Sequence, residues 1–270
     1  MIRKYRLVSC ALLVLLLAGC SGYKEFYRRA EWATPEVVAA RRVSPPPANP
    51  IVERAQSGNI QATVDGYLKR GYVPIGDAFF NSGRRESDDS AVQHGKDVGA
   101  DLVLILNPKY TGSVTSSVPI TTPTTTTSFS TGSATAYGPG GPVTAFGSGT
   151  TTTYGTSTTY VPITHHRSDY GAIFFIKQRF ILGTFMRDLK DSERQELQSN
   201  KGVAVRLVAE GTPAFDADIL IDDVITAIDG VSVSSPKAFS DVLRDRRGKQ
   251  VSLSIVRRGQ RLEKAVQLNP

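Results

Sequence analysis

The chain has 270 residues, room for more than one domain, with a formal net charge of +7 and only two cysteines. Its basic residues are scattered among acidic ones and form no stripe interleaved with aromatics, which argues against nucleic acid as a partner. Two cysteines allow at most one disulfide, too few for a disulfide framework.

The first element is a leader. Arg3, Lys4 and Arg6 precede an apolar run from Leu7 to Leu17, too short for a comfortable membrane span, and Leu17-Ala18-Gly19-Cys20 closes it. This resembles the lipobox of bacterial lipoproteins. The resemblance implies that residues 1–19 are a signal peptide, that Cys20 is the lipidation site, and that a fatty-acyl group such as palmitate anchors the chain to a membrane. Ser21 stands where an inner-membrane retention signal tends to have Asp, so the resemblance favours the periplasmic face of a Gram-negative outer membrane. Cys10 would leave with the signal and Cys20 would carry lipid, leaving no thiol for catalysis or a disulfide. The loss of three basic residues lowers the formal charge from +7 to +4.

Residues 20–48 read as a tether: Tyr23, Phe26, Tyr27, Arg28 and Arg29 lie near the anchor, and Pro45-Pro46-Pro47 and Pro50 stiffen the chain. Residues 49–179 read as a small α/β domain with a Thr/Ser/Gly-rich β extension at 110–166. Asn49-Pro50 is expected to start a helix with Ile60, Val64, Tyr67 and Leu68 on one face, ended by Gly71. Tyr72 to Phe80 is a strand, placed at a sheet edge by Pro74. Ser87 caps a second helix, where Asp88 and Asp89 suit the positive end and Lys96 the negative one. Leu102-Val103-Leu104-Ile105-Leu106 is an unbroken apolar run, the mark of a strand covered on both faces. Strand, helix, strand in that order predicts a right-handed parallel crossover.

From Tyr110 to His166 there is no Asp, Glu, Lys or Arg. Thr alternates with Tyr, Phe and Val, which is strand chemistry, and Gly138-Pro139-Gly140-Gly141-Pro142 is a turn between two such runs. Antiparallel hairpins are expected, continuing the strand entered at Leu102 and rejoined by Ala172 to Ile176. The segment also resembles Thr-rich segments of uncharacterised bacterial lipoproteins that carry a C-terminal PDZ-like region, a resemblance that supplies no activity.

The last third carries the most information. Val203, Val205 and Leu207 alternate behind Gly202, Gly211-Thr212-Pro213 turns the chain, and Val224 to Ile228 is β-branched and apolar before the Asp229-Gly230 turn. Ser235-Pro236 caps a helix with Phe239, Val242 and Leu243 on one face. Val251, Leu253 and Ile255 then pair as a hairpin with Leu262, Val266 and Leu268 about an Arg258-Gly259 turn.

Over residues 180–270 this layout resembles the PDZ domains of HtrA-type envelope proteases, a β-sandwich with helices, without their protease domain. In that family an apolar-Gly-apolar loop takes a peptide carboxylate on its N–H groups, and Ile181-Leu182-Gly183-Thr184-Phe185 stands in its place, with Thr184 for the usual second apolar residue. Asp222 replaces Gly in a turn that needs φ > 0, which Asp tolerates better than most residues. The resemblance implies a ligand strand beside Phe185-Met186-Arg187, its end on Leu182, Gly183 and Thr184, and its apolar side chain among Leu182, Phe239, Val242 and Leu243.

Catalytic arrangements are not found. Asn81-Ser82-Gly83 lacks the flanks of a nucleophile turn and reads as a loop after a strand, and His165-His166 with Asp169 lacks metal-site spacing and reads as an exposed turn. No cofactor or metal is expected, and no enzyme activity. The sequence therefore reads as an α+β chain, a lipid-anchored adaptor binding polypeptide termini or exposed strands of envelope proteins. The alternative is a structural envelope lipoprotein that binds partners or cell wall through the Thr-rich β region, with the PDZ-like part as scaffold.

Overall fold

The computed structural model describes residues 21–270, so the signal peptide expected at 1–19 and the lipidation site at Cys20 lie outside the described residues. The described chain is mostly β-sheet. It divides into two compact units, one built from the residues up to 109 together with 168–270, and the other from residues 110–167.

The first part of the larger unit contains α1 (Gly22–Glu25), β1 (Tyr27–Arg29), α2 (Pro35–Arg41), β2 (Ile51–Ala55), α3 (Ile60–Lys69), β3 (Tyr72–Ser82), α4 (Asp88–Asp97), β4 (Leu102–Gly138) and β5 (Gly141–Lys177). The strands form one sheet in the order β1-β3-β5-β4-β2. Leu102 to Leu106 is buried at every position, as an unbroken apolar run requires. Val103 and Ile105 pack on one face with Phe174, Tyr23 and Ala91; Leu102, Leu104 and Leu106 pack on the other with Phe175 and Tyr67 of α3.

Four expectations are corrected here. The segment 20–48 is not a tether, because Tyr23 and Ala33 are buried and β1 pairs with Gly76 to Ala78 of β3. Residues 51–55 form a strand parallel to 102–106, and the helix begins only at Ile60, where the Asn59 side chain accepts from Ala62 N. Ile51-Val52 favours strand, and the Ser57-Gly58-Asn59 turn separates it from the helix. Pro74 does not mark an edge: β3 lies between β1 and β5, and the missing N–H is absorbed by a register shift between Pro74 and Gly76, beyond the reach of β1. Finally, β3 and β4 run parallel, as a crossover requires, but are not adjacent, because the apolar run Ala172 to Ile176 of β5 pairs antiparallel between them.

The second part of this unit contains β6 (Thr184–Arg187), α5 (Asp191–Leu197), β7 (Val203–Val208), α6 (Pro213–Asp216), β8 (Val224–Ile228), β9 (Val231–Ser232), α7 (Pro236–Arg244), β10 (Gln250–Arg257) and β11 (Gln260–Gln267). Its sheet runs β11-β10-β8-β7-β6, with β9 paired to β8. Val203, Val205, Ile225, Ile228, Leu253 and Ile255 close on Phe239 and Leu243 of α7. Leu207 turns instead toward Leu68 and Val73, and Arg206 pairs with Asp65 of α3 at 2.7 Å, so the two parts of the unit share an apolar and an ionic contact.

One turn is held by a buried charge. Asp223 is 1% exposed, accepts from Leu220 N, and is gripped by Arg257 at 2.6 and 2.7 Å. Its neighbour Asp222 adopts φ = 67°, the left-handed backbone expected there.

The smaller unit is a two-stranded ribbon formed by the outer portions of β4 and β5, with their turn at Pro139-Gly140. His165 and His166 lie within β5 rather than in a turn. Successive strand residues face opposite sides, so the two imidazoles do not converge on one ion. No three-residue cluster of metal-ligating side chains occurs among the described residues.

Candidate functional site

The segment Phe180–Thr184, leading into β6, is fixed by its carbonyls. Asn269 Nδ2 donates to Phe180 O at 2.9 Å, Asn269 N to Ile181 O at 3.0 Å, Ala214 N to Leu182 O at 2.8 Å, and Ala209 N to Gly183 O at 2.8 Å. In a trans peptide the N–H of the next residue points away from the carbonyl. Pinning these carbonyls to the domain therefore turns the N–H groups of Leu182, Gly183 and Thr184 to the opposite side. Those of Leu182 and Gly183 donate no hydrogen bond to the described chain. Consecutive N–H groups facing one side form a small anion-binding concavity.

Gly183 makes this geometry possible. Its φ is +96°, and a β-carbon there would lie 2.0 Å from Thr212 Oγ1 and 2.3 Å from Thr212 Cβ. Thr212 is itself buried and donates to Ala209 O at 2.7 Å. A side chain at 183 thus collides with the domain before it meets any ligand.

Next to this loop lies a cavity of about 360 Å³ between β6 and α7. β6 is the end strand of its sheet, so one edge of its backbone faces the cavity. Of the residues singled out from sequence, Leu182, Gly183, Thr184, Phe185, Met186, Phe239 and Leu243 line it. Two do not. Arg187 is drawn off by Glu193, at 2.6 and 2.7 Å, and by Asp222, at 3.0 Å. Val242 packs against the domain's own core. The helical face that meets the cavity carries Pro236, Ser240, Leu243, Arg244 and Arg247, spaced four, seven, eight and eleven residues from the first, and Val242 is rotated off it. That spacing was present in the sequence.

The charge at the rim carried no such signal. Arg41, Arg179, Arg244 and Arg247 all line the cavity, and Arg41 comes from α2, more than a hundred residues upstream. Its backbone O accepts from Arg179 N at 2.7 Å, and its guanidinium lies 5.1 Å from the centre of the Trp32 ring. Burial, reinforced by the neighbouring Arg244 and Arg247, pushes the Arg41 guanidinium below its usual value. It remains cationic at neutral pH. Two buried polar atoms of the cavity lining, Gln178 Oε1 and Thr184 Oγ1, have no partner within the described chain. The site is an apolar slot with N–H donors at one end and arginine side chains on its rim.

The PDZ domain family matches residues 181–268. Residues 181–268 form a PDZ domain. Solved structures similar to this chain include a variant of the HtrA-type protease AlgW with a decapeptide, 23% identical with a TM-score of 0.31 over 36% of each chain. Another is the HtrA3 PDZ domain bound to a phage-derived ligand, 19% identical with a TM-score of 0.30 over 34% of this chain and 86% of that one. The present chain thus spans about a third of the length of the AlgW protease. No curated protein matches it.

Proposed function

We propose that this PDZ domain binds the end, or an extended segment, of another polypeptide, and that the chain serves as an adaptor in the bacterial envelope. The observation that carries this reading is the open slot between the free edge of β6 and α7, closed at one end by the unpaired N–H groups of Leu182 and Gly183. A ligand strand added along β6 gains backbone hydrogen bonds, and its apolar end fills the space among Leu182, Phe239 and Leu243. The guanidinium rim favours ligands with acidic side chains upstream of that end, because paired Arg–carboxylate contacts are the strong ones.

The test is a titration of the full chain with fluorescent peptides ending in an apolar residue, with and without two upstream acidic residues. Acidic peptides are expected to bind about tenfold more tightly, and Arg244→Glu with Arg247→Glu to abolish that difference. Gly183→Val is expected to remove binding of both peptides by about 100-fold or more, since it breaks the loop itself. Peptides that fail to bind the unaltered chain at millimolar concentration would refute the adaptor reading.

The location we propose is the outer membrane, with the chain anchored through Cys20. This rests on the leader residues Leu17-Ala18-Gly19-Cys20. Mass spectrometry of the processed protein should find Cys20 acylated at the new N-terminus, and two or more acyl chains are expected because one gives only marginal membrane binding. An unmodified Cys20 would remove the anchor from the proposal.

A further inference from the structure

The ribbon of residues 110–167 has a fixed register. The Thr115 and Thr164 hydroxyls lie 3.0 Å apart, Thr121 and Thr158 3.3 Å, and Thr135 and Thr144 2.8 Å. The β-carbon positions of Gly149 and Gly155 face Ser130 and Thr124 in the same register. Strand alternation then assigns the faces: odd-numbered residues of β4 share a side with even-numbered residues of β5.

That side holds every Phe and Tyr of residues 111–167: Phe129, Tyr137, Phe146, Tyr154 and Tyr160. Projected along the ribbon, Tyr154, Phe129, Phe146 and Tyr137 follow one another every four residues, alternately from β5 and β4. At the rise of a β-strand this is one ring about every 13 Å. Opposite them stand Thr125, Thr150, Ser133 and Pro142. The rings are nearly bare, with Phe129 79%, Tyr137 85%, Phe146 84% and Tyr154 80% exposed. The reverse side around the same rings holds Gly132, Ala134, Ala136 and Ala145 with Val143 as its one larger aliphatic side chain, while Val118, Ile120, Val161 and Ile163, 39–48% exposed, lie nearer the base of the ribbon.

The edges are treated differently from this face. Pro119, Pro123, Pro142 and Pro162 all occupy the aromatic side's positions, which share one phase of the antiparallel ladder. A proline fits only the phase whose N–H would point outward, so these four cost no cross-strand bond and remove edge donors from both strands. Lateral addition of a third strand is thereby obstructed.

We infer that the aromatic side of this ribbon packs face to face against the same side of a second copy of the chain. Two-stranded ribbons are at best marginally stable in water and gain stability from a second layer. Each ring has a Thr, Ser or Pro beside it on the other strand, so a two-fold axis along the ribbon seats the rings of an identical face over these smaller residues at the same height. No charge on either face opposes the approach. With about 90 Å of length and about 10 Å of width, one face offers on the order of 900 Å², comparable to the roughly 800 Å² per partner of a stable interface. A two-fold pairing of this kind closes on itself and does not propagate into fibres.

Sedimentation velocity of the full chain in mild detergent, at roughly 1–100 µM, tests this. The unaltered chain is expected to be a dimer. The combined variant Phe129→Thr, Tyr137→Thr, Phe146→Thr and Tyr154→Thr keeps strand propensity and should be a monomer, with its dissociation constant raised at least about 100-fold. Ala134→Ser with Ala145→Ser, on the reverse side, should leave the dimer intact. A monomeric unaltered chain, or a Thr variant that still dimerises, would overturn the inference. So would a monomer that cosediments with insoluble polysaccharide, which would give the aromatic face to a glycan instead.

Discussion

The PDZ domain and the Thr-rich ribbon are written in the same alternating pattern and arrive at opposite environments. In β10, Val251, Leu253 and Ile255 are at most 2% exposed, because α7 and the neighbouring strands close over that side. In the ribbon, Phe146 and Tyr154 alternate just as regularly and are at least 80% exposed. Period-two alternation therefore says which residues share a face. It does not say that anything covers that face.

The contrast breaks most sharply where a buried charge holds the PDZ sheet together. Arg257→Met leaves Asp223, 1% exposed, without its cation, and is expected to cost about 3–5 kcal/mol in urea unfolding monitored within that domain. A loss below about 1 kcal/mol would mean that the turn bond from Leu220 N suffices to hold the carboxylate.

A smaller effect is expected from His94 in α4. Its ring is buried between Tyr27 and Phe174, neither nitrogen has a partner within the described chain, and burial lowers its pKa, with Asp97 and Lys24 as the charged neighbours. The unfolded chain then binds the proton more readily than the folded one. The contribution to stability is thus full above the ordinary histidine value near about 6.5 and is lost as pH falls through the lower folded value. His94→Phe should flatten the pH dependence of the melting temperature on the acid side. An unchanged slope would show that the folded chain binds the His94 proton as readily as the unfolded one.

The smallest effect is expected from the ribbon itself. Every described side chain from 110 to 165 is exposed or only partly covered, so replacing residues 113–165 with a short glycine-containing turn removes little buried surface. The melting temperature of the larger unit should move by no more than about 3 °C. A large drop would show that the ribbon supports that unit and would erase the contrast drawn above.

Much of the fold was legible because local rules acted without opposition. Ser87 accepts from Ser90 N and Ser235 from Ala238 N, as their positions before the two helices required. Leu102 to Leu106 read as a doubly covered strand and is one. The errors fell where chain-distant partners decided the outcome. Pro74 suggested an edge until a register shift beside β5 accommodated it, and the segment near Tyr23 suggested a tether until β1 found β3. At the groove, Leu182, Gly183 and Phe239 were visible as residues. The reason Gly183 is glycine was not, since its β-carbon would strike Thr212, twenty-nine positions away.

By itself the sequence determined the period of each strand, the caps of its helices, the glycine and aspartate turns and the PDZ layout, all of which depend on neighbours within a few residues. Only the tertiary structure decided that β5 separates β3 from β4, that Arg187 belongs to Glu193 rather than to the groove, and that Arg41 reaches the groove rim from α2. Those outcomes depend on which distant surfaces meet, and a charged side chain takes whichever partner the folded backbone brings within reach of it.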